Sequence, residues 1–343
     1  MKKWYGYQQG INLGGWFSQC NHNKEHYDTF ITETDIANVA DWGLDHIRIP
    51  VDYNLVEDNN GNYLESGFAY IQKAIDWCGQ YHLNMILDLH KTAGYSFDND
   101  EKETGFFDNV DCQERFYRLW EEFAKRFGKY RDRLAFELLN EITDQAYCDA
   151  WNRIADQCIR RIRRITPDID IVIGGYWNNN VTAVKDLAMP QDEHIIYTFH
   201  CYDPMIFTHQ GATWVKDMPV DFRFSFHHTC QEYYDAVRQT LPYQTAIFPT
   251  MKHMEQNLDA DFFTNLFASA IQTAEARNVP LYCGEYGVID ITDPDEALQW
   301  YQCIHSVFEK YSIGRAAWTY KEKCFGLTGR HYSSVLEEIK KYL

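Results

Sequence analysis

Residues Leu134–Ile142 read LAFELLNEI, a short apolar run that closes on an Asn–Glu pair. The run Leu134–Leu139 is too short for an ordinary helix and predicts a strand buried on both faces. The pattern recurs at Gly10–Gly14 (GINLG), Asp45–Ile49 (DHIRI) and Asn84–Leu89 (NMILDL). It appears again at Ile169–Gly174 (IDIVIG), His194–Phe199 (HIIYTF), Pro280–Cys283 (PLYC) and Ile313–Trp318 (IGRAAW). Amphipathic stretches lie between them, among them Phe68–Tyr81, Gln113–Phe127, Tyr147–Ile165 and Asp261–Arg277. Buried strands alternating with helices require a parallel sheet, and eight such units predict a closed (β/α)8 TIM barrel of the α/β class.

A barrel of this kind needs about 250 residues, and the chain has 343. Much of the surplus falls between Phe199 and Asp261, a segment rich in aromatics and His that carries Pro204, Pro219, Pro242 and Pro249. A structureless loop of that length is rare in a compact domain. It predicts an insertion subdomain at 203–257, between strand six and helix six, walling the top of one catalytic domain that spans 1–343.

Composition narrows the partners. Fifty acidic against 32 basic residues give a formal charge of -18, which repels nucleic acid and anionic membrane and favours neither as partner. No apolar run approaches the roughly 20 residues that span a bilayer. Ten scattered cysteines without a CxxC pair read as free thiols. The start MKKWYGYQQG shows no signal-peptide pattern. The expectation is a cytoplasmic protein if this is the native start, and a secreted one if a leader has been removed. No cofactor or metal motif is visible, and the chain is expected to be monomeric. Aromatics at 16% include ten Trp and 24 Tyr, enough for a core and for a cleft that stacks on the apolar faces of sugars.

Chemistry in a (β/α)8 barrel gathers at the C-terminal strand ends. Those ends here are Arg48, His90, Asn140 with Glu141, His200 with Tyr202, Glu285, and Trp318. A lone Glu after a strand is usually a cap or a solvated loop residue. Two Glu after strands four and seven face each other across the mouth, which is what glycoside hydrolysis asks of a carboxylate pair.

These motifs carry a resemblance. GINLGGW, HIRIPVDY, DLH, LAFELLNEI and LYCGEYGV are similar, over essentially the whole chain, to glycoside hydrolase family 5 of clan A, and most to its clostridial-type endo-β-1,4-glucanases with an insertion after strand six. The resemblance implies a retaining cellulase acting on β-glucan, mixed-linkage β-1,3-1,4-glucan included. It implies Glu141 as acid/base, Glu285 as nucleophile beside Arg48 and Tyr202, and Asn140 on the sugar 2-hydroxyl. His90 and His200 would line the reacting-sugar site and Trp318 would floor it. Trp16 and Trp177 are expected to extend the aromatic platform, and Phe207 and Trp214 to border the leaving-group side. The sequence departs from the pattern at Lys91, where relatives often place a second His. His22, His227 and His228 read as loop groups.

Three alternatives compete. A β-mannanase or an exo-β-1,3-glucanase would use the same apparatus. A metal-dependent barrel hydrolase normally shows an HxH pair on its first strand, where this chain has GINLG. A carbohydrate-binding protein without catalysis needs no opposed acid and nucleophile, yet both Glu are present.

Overall fold

A computed structural model describes residues 1–98, 103–248 and 253–343. Eight parallel strands close in sequence order. They are β1 (Gln9–Asn12), β2 (His46–Asp52), β3 (Asn84–Lys91), β4 (Leu134–Glu137), β5 (Asp170–Gly174), β6 (Ile195–Cys201), β7 (Leu281–Tyr286) and β8 (Gly314–Ala317). β8 pairs back onto β1 through Gly10 and Ala316. Every strand expected from the sequence is present, with its ends displaced by a few residues.

Helices cover the outside: α1 (Glu33–Asp41), α2 (Glu65–Gln80), α3 (Val110–Phe127), α4 (Cys148–Arg163), α5 (Cys230–Thr240), α6 (Ala260–Arg277) and α7 (Pro294–Tyr311). α3 shows the local logic. Asn109 caps its first turn by accepting from the Asp111 and Cys112 amides, and Phe116, Leu119, Trp120, Phe123 and Phe127 bury one stripe against the sheet. After β5 a 3₁₀ run, Val181–Asp186, takes the place of a full helix and packs against α6.

Side chains alternate inward and outward along a strand. The N-terminal end of the barrel is filled by Trp4, Tyr7, Ile86, Ala135, Val172, Ile196, Tyr282 and Ala316. Two residues on from Ile86 stands Asp88, then His90; from Ala135, Glu137; from Ile196, Thr198 and His200. The interior therefore changes from apolar to charged toward the C-terminal mouth. β7 breaks this rhythm. Phe199 pairs with Cys283 but His200 pairs with Glu285, so Gly284 is an extra residue. That bulge brings Glu285 to the face Tyr282 occupies, although the two are an odd number of positions apart.

The segment between β6 and α6 holds a short helix, Met205–Thr208, then α5 and a 3₁₀ run, Pro242–Ile247. Thr229 and Glu232 form a capping box at the start of α5. Glu296 of α7 accepts from Ser225 Oγ and the Phe226 amide, pinning the segment to the barrel. Phe207 corrects an expectation: it is fully buried against Phe226 and is not among the residues that line the cleft at the barrel mouth. Pro249 lies outside the described residues. Among the described residues no helix is long and apolar enough to cross a membrane.

Candidate active site

The barrel mouth opens into a cleft of about 910 Å³. His90, Asn140, Glu141, His200, Tyr202, Glu285 and Trp318 line it, as does Trp177. Arg48 lies beneath, fully buried. Its Nε and Nη2 hold Glu137 at 2.7 and 3.0 Å, and Nη1 donates to Asn12 Oδ1 at 2.9 Å and to Glu285 Oε1 at 2.8 Å. Nη2 also reaches Asn140 Oδ1 at 3.0 Å and Asp88 Oδ2 at 3.0 Å. One guanidinium on β2 thus fixes groups from β1, β3, β4 and β7. Three buried carboxylates around a single cation carry excess negative charge. Burial accordingly raises Asp88 to about 7 and lifts Glu137 as well, against the opposing pull of Arg48.

Glu285 is held from two sides, by Arg48 on Oε1 and by the Tyr202 hydroxyl, which donates to Oε2 at 2.9 Å. Glu141 sits just past β4 with a left-handed backbone, φ 43°. The Tyr95 hydroxyl donates to its carbonyl at 2.6 Å. Its carboxyl takes His200 Nδ1 on Oε1 at 2.8 Å and Asn178 Nδ2 on Oε2 at 3.1 Å. Burial pushes Glu141 above the ordinary carboxylate range, while the Asn178 hydrogen bond and the His90 and Arg48 charges pull the other way. Burial also lowers His200 to about 4, so its imidazole is neutral near pH 7. An atom from each of Glu141, His200 and Glu285 lies within 4.8 Å of the others, so the two carboxylates nearly meet. Such a trio could in principle hold a cation, but Arg48 already places positive charge on the same Glu285 carboxylate.

The neighbouring groups fit a polyhydroxylated ligand. Asn140 Nδ2 is buried and has no hydrogen-bond partner among the described residues, leaving a donor for the cleft. The Trp318 indole lies parallel to the His90 ring at 5.9 Å and 2°. Trp177 (51% exposed) and Trp214 (55%) present large apolar faces to solvent beside the carboxylates.

A family model for cellulase (glycosyl hydrolase family 5) matches residues 7–323. The chain belongs to glycosyl hydrolase family 5. It is therefore a glycoside hydrolase. Cellodextrinase A of Ruminococcus flavefaciens is 45% identical over 315 residues, covering 92% of this chain and 86% of that protein. Endoglucanase C of Acetivibrio thermocellus is 36% identical over 340 residues, 98% of each. The crystal structure of endoglucanase Cel5A from Thermotoga maritima superposes with a TM-score of 0.76 at 21% identity, over 97% of both chains, which supports the fold.

Within this family 5 site one expected residue is misplaced. Trp16 is fully buried, stacked on Phe17 at 4.0 Å and facing Trp77 of α2 at 6.1 Å, with its Nε1 donating to the Tyr27 carbonyl. The chain turns outward after Gly14 and Gly15, so the indole falls into the barrel's outer layer and not into the cleft.

Other groups went unread in the sequence. Asn12 donates to the Gly284 and Ala316 carbonyls at 2.9 and 3.1 Å, tying β1 to the β7 bulge and to β8. Buried Asp52 holds His22 Nε2 at 3.1 Å and Lys91 Nζ at 3.3 Å, and both cations line the cleft. Burial disfavours charge on His22, yet its bond to Asp52 prevails and pushes it up to about 9. His22 is thus part of the cleft wall. The readable signal was a carboxylate inside an apolar strand: Asp88 in NMILDL and Glu137 in LAFELL.

The loop after β5 is unusual. Trp177, Asn178 and Asn179 have φ of 51°, 56° and 55°. The left-handed region costs an L residue roughly 1–2 kcal/mol, least for Asn. Three in a row persist where surrounding contacts require them.

Proposed function

We propose that this family 5 enzyme is an endo-acting β-1,4-glucanase that cleaves cellulose-type and mixed-linkage β-glucan chains by double displacement. The observation that carries the mechanism is the approach of the Glu141 and Glu285 carboxylates to within 4.8 Å at their nearest ligand atoms. Retaining glycosidases separate their carboxyl groups by about 5–5.5 Å, while inverting ones need about 6.5–9.5 Å to seat a water. The substrate assignment is supported by the cellodextrinase and endoglucanase relatives that the chain matches over most of their length. Trp177 and Trp214, both exposed in the cleft lining, suit binding within a chain.

In the first step a Glu285 oxygen bonds to the anomeric carbon as the glycosidic C–O bond breaks, and Glu141 gives its proton to the departing oxygen. Tyr202 and Arg48 keep the attacking carboxylate in place. Asn140 Nδ2 donates to the 2-hydroxyl of the reacting sugar, a bond that strengthens as the ring flattens. In the second step Glu141 takes a proton from water, whose oxygen displaces Glu285. Trp318 supports the sugar face, His90 and His200 border the ring, and Trp177 stacks beyond the scissile bond. Segment 203–257 acts as the insertion that walls this side, through Trp214, Lys216, Tyr243 and Gln244.

The test compares sugar release from mixed-linkage β-glucan, carboxymethylcellulose and mannan by wild type and Glu285→Gln, with the anomer of the first product followed by NMR. Glucan cleavage to β-anomeric oligosaccharides, lost by several orders of magnitude in the variant, is expected. Preference for mannan overturns the sugar assignment, an α-anomer overturns double displacement, and an active Glu285→Gln overturns the site.

A further inference from the structure

The strained turn after β5 bears on both oxygens of the Glu141 carboxyl, on one directly and on the other through His200. Asn178 Nδ2 donates directly to Glu141 Oε2 at 3.1 Å, and the Asn178 amide anchors to the Ile142 carbonyl at 2.9 Å. The next residue acts at one remove. Asn179 Nδ2 lies 3.3 Å from His200 Nε2, and an amide NH₂ can only donate, so Nε2 must accept. The His200 proton therefore sits on Nδ1 and is donated to Glu141 Oε1 at 2.8 Å. With a donor aimed at each oxygen, the carboxyl O–H finds no acceptor behind it and points into the cleft. Trp177 stands on the same turn and is exposed toward the cleft.

We propose that Asn178 is a positioning residue for proton donation: its amide orients the Glu141 carboxyl toward the leaving-group oxygen, and the left-handed turn that carries Asn178 and Asn179 exists to aim these two amides. The inference rests on reading Glu141 as the acid. The other charged or titratable groups facing Glu141 are Arg48 from β2, Asp88 and His90 from β3, His200 and Tyr202 from β6 and its extension, and Glu285 from β7. Tyr95 meets its backbone. Asn178 carries no charge and does not titrate, so deleting its amide leaves the charge count around Glu141 unaltered. The amide favours the ionised carboxyl, so its loss keeps Glu141 protonated to higher pH.

The decisive variant is Asn178→Gly, which deletes the amide while tolerating φ 56°. Asn178→Asp adds a like charge at the same place. Values of kcat/KM are measured across pH for cellotetraose, whose departing oxygen needs a proton, and for 2,4-dinitrophenyl β-cellobioside, whose leaving group does not. For Asn178→Gly the expected result is a fall of about tenfold on cellotetraose and less than about twofold on the activated substrate. Its alkaline limb moves upward, and that of Asn178→Asp moves further. Equal losses on both substrates with an unmoved limb overturn the proposal. Glu141→Ala serves as the reference. If it fails to separate the two substrates, the acid assignment falls first; if it separates them and Asn178→Gly does not, only the role of Asn178 falls.

Discussion

Arg48 makes five hydrogen bonds inside the barrel mouth, to Asn12, Glu137, Asn140 and Glu285. A lysine carries one point charge and cannot reproduce the planar fork. Arg48→Lys should lower kcat/KM at least ~100-fold and stability by about 3 kcal/mol, because a buried carboxylate loses its partner. Denaturant melts beside kinetics check both; a variant of wild-type stability would show that the carboxylates are neutral without it. His22 gives a prediction of a different kind. Its folded value of about 9 stands above the ordinary 6.5, so its pairing with Asp52 contributes fully below about pH 6.5 and is lost as pH climbs toward 9. His22→Gln should therefore cost more stability at about pH 6 than at about pH 9.5, and an equal cost at both would deny the ion pair a stabilising role. Glu141, Glu285, Arg48, Tyr202 and Trp318 were readable as groups of the barrel mouth because each stands at or just past the end of an apolar run. Asn12 and Asp52 were not, since an Asn or Asp among strand residues looks alike whether it bonds backbone, cation or ligand.

Strands are where the sequence speaks most clearly. Each is buried on both faces, so a short apolar run bounded by polar residues reads as little else. The bulge in β7 was invisible in LYCGEYGV, because a glycine ahead of Glu285 fits a regular strand as well as a kinked one. Its function makes a test. A β-carbon on Gly284 would lie 3.0 Å from His200 Nε2 and 3.1 Å from Thr198 Oγ1. Gly284→Ala should displace His200 and Glu285 by a few tenths of an ångström. Activity should fall well beyond the loss of stability, since reacting groups tolerate less displacement than packing does. A proportionate fall in both would deny the bulge a special role. Trp16 shows the converse error. GGW announces a turn, but the direction the indole takes afterwards is decided by Phe17 and the Trp77 ring of α2, far away in sequence.

At the scale of the molecule, a rigid barrel supplies the chemistry, and the long segment after β6 supplies much of the cleft wall. The segment was visible as a gap in the strand–helix rhythm; its internal packing, with Phe207 inside and Trp214 outside, was not. Trp177→Ala and Trp214→Ala should each raise KM for long glucan chains several-fold while leaving Tm nearly unchanged, because each ring touches solvent more than core. A large drop in Tm would reassign them to structure. The same two indoles make the protein its own optical sensor. Most of the other tryptophans emit from a dry interior, while these two emit from water beside the carboxylates. A sugar chain settling on them should shift the emission to the blue, so occupancy of an inactive Glu285→Gln variant could be followed by fluorescence without a label.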